Sequence, residues 1–322
     1  MDNRIVLITG ANSGIGKAAA LQFAEAGLTV LMACRNKKSG QQALTEIQQQ
    51  SGNTRVELFE VDMSSQRSIR ECCKELKKRY DKLDILIHNA AYFNHGEGHR
   101  LSEDRIEFTF ATNTVGPFYM TTLLKELLSR SPDARILHAS STIIKHFFDP
   151  KRTIQWDHVT GPYKGEKPYS VYQHYCDSKM ALVTLTFLLA EQLKADNISV
   201  NALQINGARM SKETLRKFKP AWRVAAIIQN LYFPPPEKMA DCYFTICTAN
   251  EFKGLTGKLF NHQNKVIEPA PANPSKIEEI KQLTTSKFHP RYAAERKNQE
   301  EVLKRCKELI FGANMINNDE RE

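Results

Sequence analysis

Short apolar runs alternate with amphipathic stretches along most of the chain. RIVLITG (4–10), LTVLMAC (28–34), RVELFEVD (55–62), LDILIHNA (83–90), ARILHAS (134–140) and ISVNALQI (198–205) read as buried strands, rich in Val, Ile and Leu. GKLFN (257–261) reads as a short seventh. Between them the apolar positions recur at helical spacing. Helices are predicted from Gly16 to Ala26 (closed by Gly27), over KSGQQALTEIQQQ, over 65–80, from Glu103 to Arg130, and over 172–195. Strand and helix in regular alternation give βαβ units, hence an α/β fold with a doubly wound parallel sheet. The catalytic and binding unit is expected over residues 1–268. PAPANP (269–274) reads as a proline-rich linker, 275–311 as one or two amphipathic helices, and NMINNDERE as a frayed tail, together a C-terminal extension over 269–322.

Composition narrows the class. The 322 residues suffice for a full core. Seven cysteines, an odd number and widely scattered, give no disulfide framework and no zinc spacing; free thiols in a reducing, cytoplasmic setting are expected. The acid-bearing N-terminus enters a strand at once, which does not read as a signal peptide, and no apolar run of membrane-spanning length occurs. The net charge is +9, and residues 209–223 hold six basic residues against one Glu. No nucleic-acid-binding module accompanies them, so a solvated basic helix is the reading and no nucleic-acid partner is expected. No metal site is expected.

Two motifs carry chemistry. Tyr175 and Lys179 stand one helical turn apart, so they share a face. An ammonium beside a phenol favours the phenolate and lowers its pKa toward the range useful for proton transfer. A second YxxxK, Tyr163 to Lys167, lies among prolines and glycines where this spacing fixes no geometry. At the first strand–helix junction stands TGANSGIGK, residues 9–17. Glycines there let the backbone approach a pyrophosphate at a helix N-terminus. Gly10, Asn12, Ser13, Gly14, Ile15 and Gly16 are therefore candidate cofactor-binding residues.

TGANSGIGK together with Tyr175 and Lys179 resembles the short-chain dehydrogenase/reductase family, and with LMACRN its retinol-dehydrogenase-like branch. The likeness runs from about Arg4 to Asn261. It implies a Rossmann fold and a reversible hydride transfer between a nicotinamide and a carbonyl or carbinol carbon. It implies that Asp62, with Met63, meets the adenine, and that Asn89, Ala90 and Ala91 form the turn after the fourth strand, Ala91 replacing a usual Gly. It assigns Asn113 to hold a proton-relaying water. It assigns Ser141 to hold the substrate oxygen, with Ser140 the alternative. Tyr175 becomes the acid/base, and Lys179 tunes it and binds the nicotinamide ribose. Asn206 (where Pro is usual), Gly207 and Ser211 lie on the segment that closes over the nicotinamide.

NAD-preferring relatives carry an acid after the second strand. Here Arg35 stands there with Asn36, Lys37 and Lys38, and a guanidinium suits a 2′-phosphate, so NADP(H) is the expected cofactor. The insert before Tyr175, with Phe147, Phe148, Trp156, Tyr163 and Tyr169, is expected to form a loop over the site, and its histidines, like His138, to be core or loop residues. Residues 209–233 are expected to form a lid in two short helices, with Trp222, Ala225, Ile228 and Tyr232 turned inward. A bulky lipophilic carbonyl or alcohol is the expected substrate, and a homodimer or homotetramer the expected assembly. A silent NADP-binding regulator and a ring double-bond reductase resembling protochlorophyllide reductase are the alternatives.

Overall fold

The computed structural model describes residues 3–93, 98–165, 168–216, 218 and 220–312. The expected tail at 314–322 and Lys167 of the second YxxxK lie outside them. The chain runs β1 (Ile5–Thr9), α1 (Gly14–Glu25), β2 (Thr29–Cys34), α2 (Lys37–Ser51), β3 (Val56–Glu60), α3 (Gln66–Arg79), β4 (Ile85–His88), α4 (Phe108–Phe110), a π-turn (Ala111–Val115), α5 (Gly116–Ser129), β5 (Ala134–Ser141), α6 (Val171–Gln192) and β6 (Ile198–Ile205). There follow α7 (Lys212–Arg216), α8 (Pro220–Tyr232), α9 (Pro236–Thr248), β7 (Leu259–Phe260), β8 (Val266–Pro269), α10 (Lys276–Thr284), β9 (Phe288–His289) and α11 (Arg296–Phe311).

The strands form one sheet in the order β3-β2-β1-β4-β5-β6-β7-β8-β9. It is parallel except where β7 meets β8. The order reverses between β1 and β4, and in such sheets ligands bind at the carboxyl ends of the strands beside that reversal. Helices cover both faces. Val6 and Ile8 pack with α1, α2 and α9, whereas Leu7 between them packs with α3, α5, α6 and α11. The two-residue period of the strand sends neighbours to opposite layers, and both layers are apolar. This is the expected doubly wound α/β sheet.

Three expectations differ in detail. The helix expected from Glu103 begins only at Phe108. Leu101 and Glu107 pair as a β-bridge, Arg105 holds φ +61, and the Glu107 carboxylate accepts from the Phe110 amide at 2.8 Å as a helix cap. That cap ends the extended stretch where helical periodicity alone would have run through. Two further strands, β8 and β9, carry weak sequence signals, β8 being short with a proline at its end and β9 only two residues long. Pro269 of the expected linker pairs with His289, and the Ala270 amide donates to the His289 oxygen at 2.9 Å. The chain beyond thus returns to the sheet edge, and α11 packs along α6.

Candidate active site

Tyr175 sits in the first turns of α6, whose start is capped by the Ser170 side chain, accepting from the Gln173 amide at 3.3 Å. One turn on, Lys179 is buried and donates from Nζ to the Ala139 oxygen at 2.7 Å. That bond fixes α6 against the end of β5, which carries Ser140 and Ser141. The Ser141 side chain accepts from the Ile143 amide at 3.3 Å and lies close enough to the Tyr175 phenol to lower its pKa. Ser140 is buried, and its hydroxyl finds no hydrogen-bond partner among the described residues. Of the two serines, it is Ser141 that reaches the tyrosine.

The electrostatics differ from the sequence expectation. Burial pushes the Tyr175 phenol up to about 12, offset only in part by the Ser141 hydrogen bond. Burial also brings Lys179 down to about 7. The Nζ lies 5.8 Å from the phenol ring centroid and spends a hydrogen bond on Ala139, so desolvation outweighs attraction between the pair.

Tyr175, Lys179, Ser140 and Ser141 line a cavity of about 630 Å³, together with Asn89, Ala91, Asn206 and Gly207. Its apolar wall is Ile15, Phe93, Ile143, Tyr172, Ile205 and Phe233. Phe93 meets Tyr175 and Tyr172 edge-on at 5.0 and 5.6 Å. A second cavity of about 510 Å³ adjoins it, since Asn89 and Ala91 line both. Its lining includes Gly10, Asn12, Ser13, Arg35, Asn36, Asp62, Met63, Ala90 and Ser211.

The glycine turn has the form of a cradle. Gly10 and Gly14 hold φ of +68 and +54. A Cβ on Gly16 would come within 2.4 Å of Asn89 Nδ2 and 2.5 Å of the Gly10 oxygen, so only glycine lets α1 start this close to the turn after β4. Asn89 ties the two turns together: Nδ2 donates to the Thr9 oxygen at 3.0 Å, and Oδ1 accepts from Tyr243 at 3.1 Å. The Ala90 amide donates to Thr9 Oγ1 at 3.0 Å, so alanine at position 91 leaves this turn held. The bare backbone over the start of α1, with open space above Gly14, fits a dinucleotide pyrophosphate.

At the far end of that cavity, Arg35 Nη1 stands 3.8 Å from Asp62 Oδ2, and the guanidinium is largely exposed. Asp62 Oδ1 accepts from the Ser64 amide and hydroxyl at 2.9 and 2.7 Å. The Asn36 side chain is committed to capping α2, accepting from the Ser39 amide at 2.9 Å. Ser39, not anticipated, lines the cavity and takes a 2.9 Å bond from Asn12 Nδ2. Its place, one turn beyond Arg35 and opposite the glycine turn, was the available signal.

Asn113 lies outside both cavities, fully buried in the π-turn. Its Oδ1 accepts from the Tyr92 amide at 2.7 Å; its Nδ2 donates to the Tyr92 oxygen at 3.0 Å and to Ser178 Oγ at 3.1 Å. Both amide donors are spent clamping the Ala91–Phe93 turn to α6. At the other wall, a Cβ on Gly207 would meet the Phe233 ring at 2.6 Å, and Asn206 Nδ2 bonds His262 Nδ1 at 2.6 Å. Ser211 caps α7, accepting from the Thr214 amide at 3.1 Å, and both residues line the cofactor cavity.

Two expectations about the walls are corrected. The aromatic insert does not roof the site: among its described residues the cavity lining takes Ile143, Lys145 and His146 from its start and Tyr172 from its end. Trp156 instead packs on Phe110, Phe147 on Tyr292, and Tyr163 and Tyr169 cluster with His99, His158 and His174. The cavity lining includes neither Tyr163 nor Tyr169. His138 is a core residue, bonded to Thr186 Oγ1 at 2.9 Å, and the described residues contain no metal-holding cluster. The lid helix is also turned the other way. From residues 220–233 it is Gln229 and Phe233 that face the cavity, while Trp222, Ile228 and Tyr232 are exposed. The Ala225 side chain lies outside the described set. Periodicity located the stripe but could not say which face the core would take.

Comparison with known proteins agrees with this architecture. Residues 4–148 match the model of the short chain dehydrogenase family. Mouse retinol dehydrogenase 13 is 31% identical over 286 residues, covering 86% of this chain and 80% of its own. Human retinol dehydrogenase 14 is 29% identical over 277 residues, covering 81% and 78%. Among solved structures, a short chain dehydrogenase from Salmonella enterica serovar Typhi superposes with a TM-score of 0.63 at 22% identity, covering 81% of this chain and 96% of its own. The nucleotide cradle, the strand order and the identity to mouse retinol dehydrogenase 13 over four-fifths of that protein lead to one conclusion: the chain belongs to the short-chain dehydrogenase/reductase family of oxidoreductases.

Proposed function

We propose that the protein is an NADP-dependent oxidoreductase acting on the carbonyl or alcohol carbon of a bulky lipophilic substrate, with Tyr175 as the acid/base. The observation that carries the reading is the Ser141–Tyr175–Lys179 set lining a cavity with an apolar wall that joins the dinucleotide cradle. For the cofactor, support comes from Arg35 and Ser39, which would hold a 2′-phosphate, and from a structural neighbour, a short chain dehydrogenase from Escherichia coli CFT073 complexed with NADPH (TM-score 0.62, 21% identity). For the substrate, support comes from the Phe93, Ile143, Tyr172 and Phe233 wall and from relatives named retinol dehydrogenases.

The nicotinamide, when bound, supplies or accepts the hydride. This chain's residues manage the proton. Ser141 and Tyr175 both hydrogen-bond the substrate oxygen. With its phenol near 12, Tyr175 is protonated at neutral pH, poised to give its proton to the oxygen as charge develops there. Lys179, near 7, gains and loses a proton at neutral pH and so restores the phenol. Asn113 keeps the Ala91–Phe93 wall fixed against α6.

Tyr175→Phe tests the assignment. Reduction of long-chain aldehydes and retinal by NADPH should fall about 10²–10⁴-fold in kcat, with NADPH affinity unchanged within a few-fold. Tyr163→Phe should leave kcat close to wild type. The assignment fails if the two effects are reversed.

A further inference from the structure

Two helices at the mouth of the substrate cavity carry apolar stripes that none of the described residues cover. On α8, Val224, Ile227, Ile228 and Leu231 stand at i, i+3, i+4 and i+7, one face of the helix, and all are exposed, Leu231 by 73%. Tyr232, beside them, is 83% exposed. The opposite face holds Gln229 and, just past the helix end, Phe233 in the cavity wall, with Ala226 buried between. At the start of α8, half-exposed Trp222 meets Tyr172 of the cavity rim at 6.1 Å. On α10, Ile277, Ile280 and Leu283 are exposed at i, i+3 and i+6. The end of α10 is fastened to the same cavity, because Lys145, which lines it, donates to the Leu283 and Thr285 oxygens at 3.1 and 2.9 Å. Contiguous exposed apolar surface of this kind marks an interaction site.

Charge selects the occupant. The segment leading into α8, residues 209–223, holds six basic residues against one Glu. A second copy docked on this face would bring two basic segments together and would stop the cavity mouth. An anionic lipid surface meets both features: it attracts the basic residues and takes up the apolar stripes. With 13 and 9 residues the helices suit a position in the interface plane, and no helix among the described residues is long and apolar enough to cross a membrane.

We propose that α8 and α10 seat the protein on an anionic bilayer, with the cavity mouth opening at the acyl boundary so that the substrate enters from the lipid. The entry route rests on the lipophilic substrate proposed above; the docking surface does not.

The test is co-sedimentation of the full chain with phosphatidylcholine vesicles, with or without phosphatidylserine. Binding should be about tenfold or more stronger with phosphatidylserine and should fall as salt rises. The pair Ile227→Glu and Leu231→Glu, and separately Ile280→Glu and Leu283→Glu, should each cut vesicle binding about tenfold or more, with NADPH binding and turnover of a small water-soluble ketone unchanged. The docking proposal is overturned if the wild-type protein stays in solution with either vesicle. It is equally overturned if these substitutions split a dimer that itself ignores vesicles. A protein that binds vesicles yet reduces no carbonyl keeps the docking surface and refutes the proposed activity. One that reduces a lipophilic aldehyde in detergent but ignores vesicles does the reverse.

Discussion

The ammonium of Lys179 donates to the main-chain oxygen of Ala139 across 2.7 Å, inside the protein and away from water. Residue 139 immediately precedes the two serines at the end of β5, so this bond sets the distance between the helix that carries Tyr175 and the strand that carries Ser141. The cost of holding an ammonium there appears as its lowered pKa.

That cost has a sign that can be measured. Lys179 is brought from 10.5 to about 7 in the folded protein. Between those values the unfolded chain binds the proton and the folded one does not, so this group's contribution to stability rises with pH across the window. Below about 7 both states are charged and the full burial penalty applies. Wild type should therefore gain on Lys179→Met by up to about 1.4 kcal/mol per pH unit from pH 7 toward 10, as read by urea unfolding of the cofactor-free proteins. Parallel pH curves would show that the lysine is charged in its site.

Arg35→Asp should weaken NADPH binding by about 2–3 kcal/mol, the loss of a charge-assisted hydrogen bond to the 2′-phosphate and a new repulsion. NADH, which lacks that phosphate, should change little. Ser39→Ala should weaken NADPH alone, and by less. Fluorescence titration of both cofactors decides this; an unaltered NADPH to NADH ratio removes Arg35 from the site.

Gly16→Ala places a methyl within 2.4 Å of Asn89 Nδ2 and 2.5 Å of the Gly10 oxygen. Neither neighbour is free to move, since Asn89 is bonded to Thr9 and to Tyr243. We expect about 1–3 kcal/mol of lost stability, the usual range for overpacking, together with much weaker binding of both NADPH and NADH. A variant with wild-type melting and wild-type cofactor affinity would mean that α1 does not approach this closely.

Asn113→Ala removes the hydrogen bonds that the Asn113 side chain makes with the Tyr92 amide and carbonyl. A hydrogen bond of this kind contributes about 0.5–1.5 kcal/mol, so a loss of stability is expected, and Asn113→Asp, which keeps an acceptor for the Tyr92 amide, should retain that one bond. Hydrogen exchange at the Tyr92 amide, faster in the alanine variant, locates the effect in the 91–93 turn. Activity lost with unchanged exchange there would assign Asn113 to the chemistry and not to the wall.

The sheet was legible because its strands are buried on both faces and so stand out as apolar runs, from Val6–Ile8 to Val200–Leu203. The cradle and the Tyr175–Lys179 pair were legible because their spacing along the chain is also their spacing in the fold. What could not be read depends on contacts between distant segments. Phe93, Tyr172 and Phe233 meet at one cavity from three separate stretches. The late start of α4 depends on pairing of Glu107 with Leu101, and of Ile106 with Thr160. The phenol pKa differs from that reading because sequence shows that Lys179 is near but not how far each group is withdrawn from water, and desolvation decided it.

The packing of α11 on α6 has a consequence for how the protein is made. Ala293, Val302 and Cys306 belong to the same buried layer as Met180, Ala181 and Leu185 of the helix that bears Tyr175. Gln66, far upstream, donates to the Leu309 oxygen at 3.0 Å. On a translating ribosome, β1 to β4 and the nucleotide cradle are available to assemble long before these residues emerge. A nascent chain halted before residue 293 thus has its cradle in hand while the back of the helix that bears Tyr175 lacks these partners, so it is the segment from Ala293 onward that covers that helix.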